Sequence, residues 1–235
     1  MLKKAKLSAK AKVKSMCKED RGQMKMKNRI VRMVSIAFML ALLFTMPAHA
    51  SRKKDALKAY RNLLSAAKVV WDTSGSWSVS TSGMSFSLAY IDGDSVPELI
   101  LYSQNVPHIA GYGFLYTYKN GKAVPVGTVN IDDKISYYKK KGVLVEVYSQ
   151  QGYTTSNYMK FSGTQKEMKL KKAKNEFSGT TEYYTSENGA WSKIGKSAFN
   201  KALKKLVKTK KQTKVAFYRN TATTRNKKIK SQQGE

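Results

Sequence analysis

Cysteine and histidine are almost missing from this sequence. One cysteine, Cys17, in 235 residues excludes a disulfide scaffold, a cysteine-based zinc site and a CxxC redox pair. Two histidines, His49 and His108, exclude a multi-histidine metal centre. Acidic side chains are scarce too: 15 face 44 Lys and Arg, a formal net charge of +29. No GxSxG elbow, Gly-rich phosphate loop or dinucleotide fingerprint occurs. No apolar run reaches the ~20 residues that cross a bilayer. What is present suffices for a packed core, since 41% of residues are hydrophobic and 11% aromatic.

The longest uncharged stretch is Met33–Met46, fourteen residues reading MVSIAFMLALLFTM. Lys25, Lys27, Arg29 and Arg32 precede it, and Pro47-Ala48-His49-Ala50 follows. A basic segment, a short apolar segment and small residues at −3 and −1 describe a secretory signal cleaved before Ser51. Residues 1–50 are therefore expected to be leader and cleaved signal. The first 23 residues overrun an ordinary signal, and Lys18-Glu19-Asp20 can be encoded as a ribosome-binding sequence just upstream of Met24. Translation is accordingly expected to start at Met24, the other reading being a long basic n-region. Cleavage removes Cys17 and leaves 32 basic and 13 acidic residues, a net +19, on residues 51–235.

Past the signal, the hydrophobic period changes twice. In Ser51–Val70 the residues Ala56, Leu57, Tyr60, Leu63, Leu64 and Ala67 fall at helical spacing, and a Ser/Gly-rich connection extends to Gly83. From Met84 the period is two, as in Phe86-Ser-Leu88-Ala-Tyr90 and Glu98-Leu-Ile-Leu-Tyr102. Roughly ten short strands follow, joined by tight turns such as Asn120-Gly121 and Asn188-Gly189. Helical spacing returns at Lys196–Lys208, Lys214–Tyr218 offers one more strand, and the rest is polar. The expected fold is α+β and mainly β: an antiparallel meander, propeller-blade-like in its turns, with an N-terminal and a C-terminal amphipathic helix. Its parts are a helix and connection over 51–83, a β domain with the C-terminal helix over 84–218, and a basic flexible tail over 219–235.

Chemistry has one candidate position, the turn Tyr90-Ile-Asp92-Gly-Asp94-Ser-Val-Pro97-Glu98. Alternate carboxylates in a tight loop can present several oxygens to one hard cation, which makes Asp92, Asp94 and Glu98 candidate calcium ligands. Tyr90 stands at the first ligand position of such a loop and Ser95 at its glycine. These departures favour the other reading, a surface turn whose aspartates bond loop amides and whose Pro97 opens an edge strand. The segment resembles the D-x-N/D-G-D-G-x-P-E-L turn of secreted proteins of anaerobic Gram-positive bacteria, akin to FG-GAP/VCBS-type repeats. Gly111–Lys122 and Lys214–Ala222 are similar to segments of that same group. The resemblance implies this architecture and an extracellular setting, and says almost nothing about activity.

No catalytic residues are assigned. His108 is the one base-type histidine left after cleavage, without an activated nucleophile beside it, and carboxylate pairs such as Asp92 or Asp94 with Glu98 or Glu146 carry no distinguishing pattern. The protein is expected to be a non-catalytic binding module, secreted and held at the wall by charge, the alternatives being a degenerate calcium-stabilised structural or interaction domain and, after it, a glycan-active hydrolase. Its expected partner is an anionic wall polymer or glycan, not nucleic acid in vivo, with no membrane insertion after cleavage. Residues 201–230 hold twelve basic residues and no acidic one. Lys201, Lys204, Lys205, Lys208, Lys210 and Lys211 are the candidate polyanion contacts, against a plain reading as a solvated helix face. Tyrosines on alternating strands offer stacking surface for sugars. No cofactor is required, calcium being the one ion considered.

Overall fold

The computed structural model describes residues 50–71, 78–103, 112–130, 134–208 and 210–233. The signal-like segment, Met24 and His108 lie outside them. The chain divides into two compact units, Met1–Ala50 and Ser51–Glu235. The second is mainly β, with antiparallel strands throughout.

Helix α1 (residues 50–65) buries Ala56, Leu57, Tyr60 and Leu64 completely and turns its lysines outward. Each leucine so removed from water contributes about 1.5–3 kcal/mol. The helix stops earlier than the expected Val70. Lys68–Val70 forms strand β1 and pairs with β2 (Ser78–Ser80), inside the stretch expected as a plain connection. The cause is local: Val69 enters the core between exposed neighbours, and the Thr81 hydroxyl donates to the Ala66 carbonyl at the helix end.

The meander forms two sheets. Strands β3 (Met84–Ala89), β4 (Glu98–Ser103), β5 (Tyr112–Lys119) and β6 (Lys122–Asn130) pair in sequence order. So do β7 (Lys134–Tyr138), β8 (Val143–Gln150), β9 (Tyr153–Ser162), β10 (Gln165–Asn175), β11 (Thr181–Glu187) and β12 (Ala190–Ile194). Asn120 and Gly121, with φ of 50° and 80°, make the β5–β6 turn as read. Gln151 and Gly152, with φ of 48° and 75°, make a tight β8–β9 turn that the sequence reading passed over.

Strands β3–β6 and β7–β12 each run up and down in sequence order, and the two sheets pack face to face. Ile100, Leu115, Val126 and Val129 from the first meet Ile135, Leu144, Met159 and Phe161 from the second. Period two then sends Leu99, Leu101, Phe114 and Tyr116 to the opposite side, where α1 covers them. Val143 and Val145 likewise point away from Leu144, toward helix α2 (Lys196–Val207), which contributes Val207 and half-buried Leu203 and Leu206. The layers run helix, five-stranded sheet, seven-stranded sheet, helix.

The C-terminal part departs most from expectation. Lys214–Tyr218 is not one strand: β13 (Gln212–Lys214) joins the second sheet beside β7, and β14 (Tyr218–Arg219) joins the first beside β3. The segment thus ties the two sheets together. Residues 219–235 are not a flexible tail either, because Ala222–Gln233 forms helix α3. Thr221 caps it, its hydroxyl accepting from the Thr224 amide at 3.2 Å, and Ile229 is buried against the first sheet. Asn220 donates to the Leu64 carbonyl at 3.0 Å, satisfying an orphan carbonyl at the end of α1.

Candidate functional site

The acidic turn links β3 to β4 at the end of the first sheet. Tyr90 and Ile91 lead out of β3, and their carbonyls accept from the amides of Lys140 (3.0 Å) and Gly142 (2.7 Å) in the β7–β8 turn. The acidic turn is therefore held against the second sheet. Asp92 Oδ1 accepts from the Asp94 amide at 2.9 Å, and Asp94 Oδ1 accepts from the Val96 amide at 2.8 Å. These are the loop-amide bonds of an Asx turn. Glu98 opens β4 and is buried, with 1% of its surface exposed; its Oε2 accepts from the Ile91 amide at 2.8 Å. Pro97 lies just before β4, where its missing N–H costs no ladder bond. That strand is internal, flanked by β3 and β5, rather than the expected edge strand.

Both sequence readings thus find their geometry here. The aspartates bond loop amides, and one oxygen from each of Asp92, Asp94 and Glu98 lies within 4.8 Å of the others. Burial raises the Glu98 carboxyl well above its ordinary range, and the Asp92 charge adds to the effect. Burial raises Asp92 as well, with Asp94 contributing repulsion. The nearest balancing charge is Arg52 of α1, whose guanidinium lies 3.0 Å from Asp94 Oδ2. Tyr60, also on α1, is wholly buried, and its hydroxyl has no hydrogen-bond partner among the described residues. Burial, then the Glu98 charge, pushes that hydroxyl well up. The Ser95 hydroxyl is a second buried, unpartnered oxygen. An all-oxygen set with excess negative charge suits a hard cation such as calcium. At the first ligand position the Tyr90 ring carries instead two ammonium groups, Lys53 and Lys139, each 5.6 Å from its centroid.

Comparison with family models, curated proteins and solved structures finds no match to this chain.

The six candidate polyanion lysines are all exposed. Lys201, Lys204, Lys205 and Lys208 occupy the outer face and end of α2, and Lys210 and Lys211 follow it. None of the six has an ion-pair partner among the described residues. Lys204 and Lys205 sit in the last turn, where cations complement the helix dipole. Of Tyr116, Tyr118, Tyr137 and Tyr138, about half of which the strand pattern expects to point outward as stacking surface, Tyr116, Tyr137 and Tyr138 are buried and Tyr118 is half-buried. Glu146 is committed structurally: its two oxygens accept from the Asn130 amide (2.8 Å) and the Asn157 side chain (2.9 Å).

A second surface escaped the sequence reading. On β10–β12, Lys171 is paired with Tyr184, Tyr184 with Lys193, and Trp191 lies diagonally beside Tyr184 on the same face. The Lys171 ammonium is 4.3 Å from the Tyr184 ring centroid and 4.9 Å from that of Trp191. Register would have revealed the group, but cross-strand pairing is not written in any single strand.

Proposed function

We propose that the protein is a secreted, non-catalytic binding module for anionic wall polymers or glycans, retained outside the cell by charge. The observation that carries this reading is the row of six exposed lysines on and after α2, without ion-pair partners among the described residues, in a stretch of twelve basic residues without an acid. A cationic surface of that size draws polyanions electrostatically. Export is supported by the signal-like residues 25–50. No helix among the described residues is long and apolar enough to cross a membrane.

The test is retention of the full chain on immobilised polyglycerol phosphate across a salt gradient. Screening shortens from about 10 Å at 0.1 M to about 3 Å at 1 M salt, so charge-driven retention at low salt is expected to be lost near 1 M. Changing the six lysines to glutamine is expected to move elution to markedly lower salt. Passage through the column at low salt overturns the proposal.

The convergence of Asp92, Asp94 and Glu98 favours a second reading, in which calcium stabilises the fold at the acidic turn. Under it, calcium raises Tm, a chelator reverses the rise, and Asp94→Ala abolishes the response. Identical wild-type curves with calcium and with chelator remove the ion.

A further inference from the structure

Among the described residues, four large hydrophobic side chains are exposed, and three of them lie in the β9–β12 part of the second sheet. Tyr153 (45%), Phe177 (88%) and Trp191 (38%) all belong to the β9–β12 end of the second sheet, including its turns. Tyr153 and Phe177 stand at the end of the strands that carries the β8–β9 and β10–β11 turns, whereas Trp191 stands toward the opposite end, beside the β11–β12 turn and next to Tyr184 and Lys171. The rows across this face change character along their length. Glu146 and Asn157 are buried near the first sheet, while Lys171, Tyr184 and Lys193 continue the same row outward to a half-buried and then exposed end.

We infer that this open end of the sheet is the site that takes the sugar rings of an acidic polysaccharide, an inference that rests on the binding-module reading above. An aromatic face buries the C–H face of a pyranose, and an adjacent ammonium meets its carboxylate; both are present within 5 Å of one another at Trp191 and Lys171. Lys171 has no carboxylate ion pair among the described residues, whereas Lys193 is held by Glu182 at 2.5 Å. Its ammonium lies over the two rings and within electrostatic reach of Glu182, without a carboxylate at contact distance, and so complements an incoming anion. Tyr184 is fixed by donating its hydroxyl to Glu182 at 2.5 Å, so one ring of the platform is preorganised. The Lys171 ammonium lies over both rings, so a sugar stacking on Trp191 takes the ring face turned away from it.

The experiment compares binding of the full chain to polygalacturonate, a carboxylated pyranose polymer, and to linear polyphosphate, which has charge but no rings. Polyphosphate binding is expected to vanish by about 0.5 M salt, and polygalacturonate binding to persist in part. At that salt, Trp191→Ala is expected to weaken polygalacturonate binding by about tenfold, Trp191→Phe to restore most of it, and Lys171→Gln to weaken it severalfold. Circular dichroism confirms that each variant is folded. Unchanged binding in Trp191→Ala overturns the site, as does equal binding of oligothymidylate at the same salt. Failure of the site leaves low-salt retention of both polymers intact. Failure of the binding-module reading removes retention of both.

Discussion

At the residue scale, burial and neighbouring charge act together on Glu98. It is a buried carboxylate facing Asp92 and Asp94, with Arg52 as the balancing charge and the Tyr60 hydroxyl close by. Its carboxyl is raised in the folded state, so the fold binds its proton more tightly than the unfolded chain does. The stability contributed by that proton is fully present below the unfolded carboxyl range and is lost as pH rises through the folded value. Asp92 works in the same direction. In chelator, Glu98→Gln is therefore expected to raise Tm at pH 7 relative to wild type, and the difference to shrink as pH falls toward 4. Glutamine can still accept from the Ile91 amide while carrying no charge. A calorimetric pH series on the two proteins checks this; a Tm gap independent of pH contradicts the assignment.

At the element scale, α3 shows how polar anchoring can dock a helix that periodicity does not reveal. Its sequence, ATTRNKKIKSQQ, has one apolar residue large enough to pack, Ile229, and no stripe for a 3.6-residue period to detect. Arg225 donates to Asn220 at 3.0 Å, Asn220 donates to the end of α1, and the Lys228 ammonium lies 3.7 Å over the Tyr218 ring. Ile229→Ala is expected to cost about 2–5 kcal/mol if the cavity does not collapse, as for other buried aliphatic truncations. Chemical denaturation measures the loss. A cost below about 0.5 kcal/mol would show that the helix does not pack in solution. The Thr221 cap was legible in principle, since a threonine precedes the helix and meets the amide three residues on.

At the scale of the whole molecule, the two sheets divide labour. The first holds the acidic turn and packs against α1 and α3, so that negative charge is enclosed near Arg52 and Tyr60. The second packs against α2, which bears the lysine row, and itself carries the aromatic end. The β13–β14 segment crosses from one sheet to the other and makes their stacking part of a single fold. Glu146 adds a buried link of the same kind, since a carboxylate from β8 accepts the Asn130 amide at the end of β6.

What the sequence determined by itself was local. Alternation of apolar residues made the strands, Asn-Gly pairs with positive φ made two of the hairpins, and the spacing of Ala56, Leu57, Tyr60 and Leu64 made α1. Those signals lie within a few neighbouring residues, where steric and hydrophobic preferences act directly. The acidic turn was legible for the same reason, its three carboxylates lying within seven residues. Tertiary structure alone decided which face of each strand met which layer, sending Leu144 to one core and Val143 and Val145 to another. It also ended α1 before Val69, docked α3 through Asn220, and brought Lys171, Tyr184 and Trp191 from three strands into one group. These outcomes depend on register and packing between segments far apart in the chain, where the free energy is shared among partners that no single stretch of sequence contains.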